Sequence, residues 1–225
     1  MTKKALILLS GGLDSATISA IAKSENYELH AISFDYSQNH KTELKYAKKI
    51  ANFFSFKTHK IITINPGLFQ NSALTNNLTI PKTQNNKNEI PITYVPARNI
   101  LFLSYALSYA EGNNISNIFI GANAIDYSGY PDCRPEFIKS FEEMANLGTK
   151  LGQSQKINIH TPIINLSKAD IIKLGIKLQV DYSITHSCYD PQNNKACGKC
   201  DSCYYRLKGF KENNITDPIE YDLPQ

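Results

Sequence analysis

The sequence predicts an α/β protein: a parallel sheet flanked by helices, with a metal-binding segment near the C-terminus. Three observations carry this expectation. Short apolar runs alternate with segments of helical periodicity, in the order strand, helix, strand, helix, strand, over the first third of the chain. A Ser10-Gly11-Gly12 turn joins the first apolar run to the first helix. Four of the five cysteines are crowded between Cys188 and Cys203.

In chain order, Ala5 to Leu9 is a continuous apolar run with the length of a buried strand. Lys3 and Lys4 before it imitate the start of a signal peptide, but the apolar core is too short and ends in Ser-Gly-Gly with no cleavage pattern. Leu13, Ala16, Thr17 and Ala20 recur at helical spacing, and this helix ends near Glu25 and Asn26. Glu28 to Tyr36 gives the second strand, and Leu44, Ala47, Ala51 and Phe54 mark an amphipathic helix. Thr58 to Ile64 is the third strand. In such a sheet ligands bind beyond the carboxyl ends of the strands, which is where Ser10 to Ser15 and Asp35-Tyr36-Ser37 lie. His30 and His59 fall within strands, where the expectation is a hydrogen-bonded core or edge histidine.

Residues Asn65 to Glu89 are rich in Asn, Lys, Thr and Gln and lack periodicity, so a long surface loop is expected. Pro91 to Asn99 then leads into Ile100 to Ala110, a helix apolar nearly all round that is either buried or covered by a partner subunit. Ile115 to Gly121 is a fourth strand. Gly121 to Arg134 mixes glycines, polar groups and aromatics in the manner of a binding loop for a flat, polar molecule. Arg134 to Leu151 is expected to form one helix entered through Pro135, and Ile157 to Pro162 a short last strand. Ser167-Lys168-Ala169-Asp170 is a helix-start signature, with Ile171, Leu174 and Leu178 on one face. The absence of internal repeats and of linkers implies one domain over residues 1–225, with the cysteine-rich segment at about 186–210 as part of it.

Composition narrows the function classes. The 225 residues are 42% hydrophobic, enough for a sizeable core, and no segment has the apolar length of a membrane span, so a soluble cytoplasmic protein is expected. A net charge of +4 spread without runs is compatible with polyanions such as ATP but builds no nucleic-acid-binding stripe.

The turn at Ser10 to Ser15 places two glycines and two hydroxyls at a helix N-terminus, where free N–H groups and the positive dipole end favour phosphate. Asp14 is the candidate holder of a magnesium ion bridging phosphate oxygens. The lysine of a Walker-type loop is missing. Ser-Gly-Gly-Leu-Asp-Ser resembles instead the loop of the pyrophosphate-loop ATP pyrophosphatases, which implies cleavage of ATP between the α and β phosphates and adenylation of an acidic or amide-like oxygen.

Cys188 precedes Cys197-Gly198-Lys199-Cys200 and Cys200-Asp201-Ser202-Cys203. Such spacings let thiolates converge on one ion, and four sulfurs suit tetrahedral zinc in a closed, structural site. An iron–sulfur cluster and a redox thiol pair are the competing readings, but the cysteine-proline that ends the ferredoxin pattern is missing. His186 is a spare ligand. Cys133, in the expected binding loop, is either a small packed residue or a nucleophile.

Taken together, Ser10 to Ser15, Tyr94-Val95-Pro96-Ala97-Arg98-Asn99, Gly121 to Phe137, and Thr161 onward to Cys203 resemble the 7-cyano-7-deazaguanine synthase family of queuosine precursor biosynthesis. The resemblance covers nearly the whole chain except the Asn-rich region, and Ala97 departs from the glycine expected at that position. It implies an adenine nucleotide alpha hydrolase-like fold and an ATP-dependent ligase that converts 7-carboxy-7-deazaguanine and ammonia to the nitrile. It further implies that Leu8, Leu9, Ser10, Gly11, Gly12, Leu13, Asp14, Ser15, Ala16, Thr17 and Ile18 bind ATP, and that Cys188, Cys197, Cys200 and Cys203 bind zinc. Asp14 and Ser15 are the loop's candidate catalytic groups, while Arg98 and Asp126 are chosen on charge and position for substrate or phosphate contacts. A homodimer acting on small molecules, with no nucleic acid or membrane partner, is the expected form. A tRNA-thiolating relative and a zinc-ribbon binding module are the alternatives; the first needs a sulfur-relay cysteine or a cluster, and the second needs no ATP chemistry.

Overall fold

The computed structural model describes residues 2–36, 42–76, 78–82, 90–125, 130–193 and 195–222. β1 (Lys4–Leu8) is the centre of a sheet in the order β3-β2-β1-β4-β5, with every neighbour parallel. The chain moves outward from β1 through β2 (Glu28–Asp35) to β3 (Thr58–Thr63), then crosses back to place β4 (Asn117–Phe119) and β5 (Asn158–His160) on the other side. The direction of winding therefore reverses beside β1. The connections leaving β1 and β4 diverge there and open a crevice at the carboxyl edge of the sheet.

Strand alternation sorts the apolar residues into two cores. Leu6 and Leu8 join Ile32, Phe34, Ile118 and the inner faces of α3 (Arg98–Gly112) and α4 (Pro135–Gly148). Ala5 and Ile7 join Leu29, Ala31 and the helices α1 (Leu13–Ser24), α2 (Thr42–Phe53) and α6 (Lys168–Lys177) on the opposite face. Both faces of β1 are thus covered, which explains its unbroken apolar run. α1 is enclosed nearly all round, so even its polar residues bond internally: the Thr17 hydroxyl lies 3.0 Å from the Leu13 carbonyl and 2.8 Å from the Tyr182 hydroxyl. His30 and His59 are structural, the first bonding Thr58 and Glu28 and the second Ser33.

Three expectations need correction. The helix anticipated over Arg134 to Leu151 is broken at Thr149, which is extended (φ −125°, ψ 150°) and whose Oγ1 accepts the Gly152 N–H to start α5 (Lys150–Ser154). The region Asn65 to Glu89 is not merely a surface loop where it is described. Phe69, Ala73, Leu74 and Ile80 are buried in the α3-side core, and these sparse apolar residues carry no periodicity because they pack as an irregular cover. Residues 77 and 83–89 of that region lie outside the described residues. Finally, α7 (Asp201–Glu212) starts within the last cysteine pair, with Cys200 at its N-cap and Cys203 in its first turn, a helix that the sequence reading did not name. Its Arg206 is buried, donates to the Asp217 carboxylate at 2.7 and 2.9 Å and also bonds Thr185, which ties the chain's end to the body.

The face of α3 that carries Leu103, Ala106, Leu107 and Ala110 is buried, while Ile100 and Tyr105 remain exposed. Among the described residues no helix is long and apolar enough to cross a membrane.

Candidate functional site

The crevice at β1 is a cavity lined by the turn from Leu8 to Ser15 on one side and by Tyr36, Glu43, Arg98, Tyr130 and Cys133 on the other. Gly11 is required there in two ways. Its φ is +91°, and a Cβ would sit 2.2 Å from the Glu43 carbonyl oxygen, because the first turn of α2 rests on the loop. Gly12 is the N-cap of α1 and supplies no side-chain cap; its own N–H meets Ser10 Oγ at 3.3 Å, and the residues of the helix start line the cavity. Ser10 and Ser15 are bonded to each other at 3.2 Å, and the Ser15 hydroxyl donates to the Gly12 carbonyl at 2.9 Å, which holds the turn in shape before any anion arrives. Leu9, Leu13, Ala16 and Ile18 are core residues that fix the turn from beneath.

Asp14 is not open to the cavity as a lone carboxylate. Lys168, the second residue of the helix-start signature, reaches across and donates to both Asp14 oxygens, at 2.7 and 2.9 Å. The Lys168 side chain is 7% exposed and that of Asp14 22%. The two charges compensate each other, so the Asp14 carboxylate, the sequence's candidate holder of magnesium, is held by a lysine in this structure. Sequence spacing gave no hint of the pair, since its members are 154 residues apart.

The segment after the 3₁₀ turn at Tyr182–Ile184 is threaded against the loop. The His186 N–H donates to the Gly11 carbonyl at 2.9 Å, and the Ser187 hydroxyl accepts the Leu13 N–H at 3.2 Å. The His186 ring stacks on Tyr46, with centroids 5.2 Å apart, and is not grouped with the cysteines. Cys188 comes next, so the phosphate-type loop and the cysteine cluster are joined by consecutive residues. The Sγ atoms of Cys188, Cys197, Cys200 and Cys203 all lie within 4.8 Å of one another, and all four residues are buried. A tetrahedral thiolate site with metal–sulfur bonds of about 2.3 Å has sulfur–sulfur edges of roughly 3.8 Å, so these residues fit one ion with small adjustment. Backbone N–H groups already point at the sulfurs: Asp190 and Cys197 at Cys188, Lys199 and Cys200 at Cys197, and Tyr189 at Cys200, at 3.2 to 3.5 Å. Such donors stabilise thiolates around a metal and are a second, independent sign of the site.

Arg98 opens α3 and is half-buried; it hydrogen-bonds Tyr36, which lies at the end of β2. The preceding Ala97 sits in the left-handed region at φ 53°, ψ 22°, a conformation suited to the glycine expected there. Asp132 caps α3 from the facing loop: its Oδ2 accepts the Asn99 N–H at 2.9 Å. Cys133 is buried beside Asn99, and burial, reinforced by Asp132, pushes its thiol up to about 12. It is a packed thiol and a poor nucleophile near neutral pH. Glu43, which the sequence reading passed over, is a half-buried acid whose carboxyl is pushed up to about 7 by burial, against the opposing pull of Arg98. Asp126 and the neighbouring 127–129 lie outside the described residues.

Comparison with known proteins agrees with this geometry. A protein of Syntrophus aciditrophicus described as 7-cyano-7-deazaguanine synthase is 56% identical over 222 residues, covering 96% of each chain. One of Desulfatibacillum aliphaticivorans with the same description is 55% identical over 225 residues, covering 97% of each. Among solved structures, NMN synthetase from Francisella tularensis matches 96% of this chain and 79% of its own, with a TM-score of 0.53 at 19% identity, a likeness of fold alone. The sequence model of the family described as queuosine biosynthesis protein QueC matches residues 4–214, and with near-full-length relatives at this level of identity the chain belongs to that family.

Proposed function

We propose that this protein is an ATP-dependent ligase that converts 7-carboxy-7-deazaguanine and ammonia to 7-cyano-7-deazaguanine. The observation that carries this is the union, in one cavity at the reversal of the sheet, of an uncapped helix start, a glycine-held turn and the Arg98 guanidinium. ATP lies with its phosphates on the turn from Leu8 to Ile18, and Asp14 and Ser15 hold the turn's charge and shape. Arg98 meets the negative charge of the acid or of the phosphates. Magnesium enters with ATP as the complex of its phosphates rather than on a protein carboxylate already paired with Lys168.

A carboxylate has two oxygens and a nitrile none, so each oxygen must leave as part of a good leaving group. Two adenylations per product follow. The acid is adenylated and attacked by ammonia to give the amide, with loss of AMP and one proton; the amide oxygen is then adenylated, and loss of AMP and of both remaining N–H protons leaves the nitrile. One site serves both steps because acid and amide place an oxygen at the same point beside the α-phosphate. Backbone donors of the turn stabilise the departing pyrophosphate each time.

The four cysteines hold zinc in a closed structural site, with no position left for substrate. The whole chain works as one domain, and the bonds from His186 and Ser187 to the turn support that reading. A cytoplasmic homodimer is the expected form, with the exposed Ile100 and Tyr105 of α3 as a surface for the second copy. A tRNA-thiolating activity is disfavoured by Cys133, the one cysteine outside the cluster, because it is buried and resists ionisation. Incubating the protein with the deazapurine acid, ATP and ammonium, and measuring product mass and AMP released per nitrile, tests the proposal. A nitrile with about two AMP supports it, whereas no nitrile, or a ratio near one, overturns it.

A further inference from the structure

We propose that Glu43 is the general base of the reaction, taking the proton from nitrogen when ammonia attacks and again when the nitrile forms. This rests on reading the turn from Ser10 to Ser15 as the seat of the ATP phosphates. Glu43 is in the first turn of α2, and its main chain is packed so closely on Gly11 that a Cβ there would meet its carbonyl oxygen at 2.2 Å. It lines the same cavity as the residues of the turn, which puts it in the space where the adenylated acid and amide would lie. Among the described residues lining the cavity the carboxylates are Asp14 and Glu43, and Asp14 is held by Lys168. Several other titratable groups also line the cavity. Cys133 is pushed up to about 12 and remains a thiol, and burial raises Tyr36 and Tyr130 above the ordinary phenol range. His186 is buried, its ring flat against Tyr46.

Glu43 alone combines a carboxylate with a proton affinity near neutrality, at about 7, where a base is most effective. Arg98, which lines the same cavity, opposes that rise. In the first half-reaction the nitrogen lone pair forms the C–N bond, the C–O bond to AMP breaks, AMP leaves as an anion, and Glu43 takes the proton. In the second, the amide nitrogen gives up both of its protons: one is released to solvent once the amide oxygen is adenylated, leaving a neutral imidate, and as the C–O bond to AMP breaks the other passes to a carboxylate that has meanwhile released the first-step proton to solvent, so that the freed electron pair completes the triple bond.

Adenylation of the acid involves no nitrogen, and this separates the steps experimentally. ATP–pyrophosphate exchange supported by the deazapurine acid without ammonium reads the first chemical step. Ammonium-dependent amide and nitrile formation reads the later ones. Glu43→Gln is expected to keep exchange within about threefold of the unaltered protein while ammonium-dependent turnover falls roughly 100-fold and loses its rise with pH near neutrality. Glu43→Asp, which keeps a carboxylate but withdraws it, is expected to retain that rise at a reduced rate. Ammonium-dependent turnover in Glu43→Gln within threefold of normal overturns the proposal, and so do exchange and turnover falling together in both variants, the mark of a loop support. Absence of exchange in the unaltered protein overturns the ATP reading instead, and the proposal with it.

Discussion

Replacing Asp14 by Asn keeps the size of the side chain and removes the charge opposite Lys168. Lys168 is 7% exposed, and its ammonium donates to both Asp14 oxygens at 2.7 and 2.9 Å, so the substitution removes the carboxylate charge facing a cation that has little access to water. Breaking a fully buried pair from one side costs about 3–5 kcal/mol. Asp14 is 22% exposed, so water can reach the ammonium once the carboxylate is gone. The lower end, about 3 kcal/mol, is therefore expected. For a chain of this size that is a fall in melting temperature of roughly 6–12 °C. The assay is denaturant unfolding at pH 7 of the unaltered protein, Asp14→Asn, Lys168→Met and the double variant. Removing both charges eliminates the stranded ion, so the double variant should be more stable than the sum of the single losses predicts, by about 2 kcal/mol. A loss below about 1 kcal/mol for Asp14→Asn, or strict additivity in the cycle, would refute the argument that this ion pair holds the loop.

Cys200→Ser is expected to lower bound zinc, measured by metal analysis, and to destabilise the protein by several kcal/mol, since metal ligation supplies folding free energy on the order of 10 kcal/mol in small zinc sites. Full zinc content with an unchanged melt would argue against a site of four thiolates. Ala97→Gly is expected to stabilise the protein by about 1 kcal/mol in the same unfolding assay, because φ is +53° at this position and a Cβ is strained there; a loss of stability would contradict it. The folded-state pKa of Glu43 is raised from 4.5 to about 7, so between those values the folded protein holds a proton that the unfolded chain releases, and stability falls as pH rises through that window. Glu43→Gln should therefore be more stable than the unaltered protein at pH 8, by on the order of 2–3 kcal/mol, with the gap closing towards pH 5. A gap that widens as the pH falls would reverse the assignment.

The sequence alone determined the parallel sheet, the turn at its first strand and the cluster of four cysteines. Each is written in spacing over a few residues: the run from Ala5 to Leu9 between covered faces, two glycines before an apolar helix, and thiolates separated by two residues. The strand histidines His30 and His59 were also legible as hydrogen-bonded residues, because their surroundings follow from the strands that carry them, whereas for Cys133 the sequence leaves open a packed residue or a nucleophile. The break at Thr149 was not legible. A threonine that caps one helix reads the same as a threonine inside another until Gly152 is seen to donate to it. The tertiary structure alone decided what holds the loop and what faces it. Lys168 reaches Asp14, Ser187 takes the Leu13 N–H, and Glu43 rests on Gly11. These partners come from α6, the segment before the cysteines and α2, and they meet because the sheet reverses its winding at β1 and gathers the carboxyl-end connections into one crevice. Periodicity records which face of an element is buried, but a pairing across 154 or 174 residues depends on strand order and crossover, and these leave no repeat in the sequence.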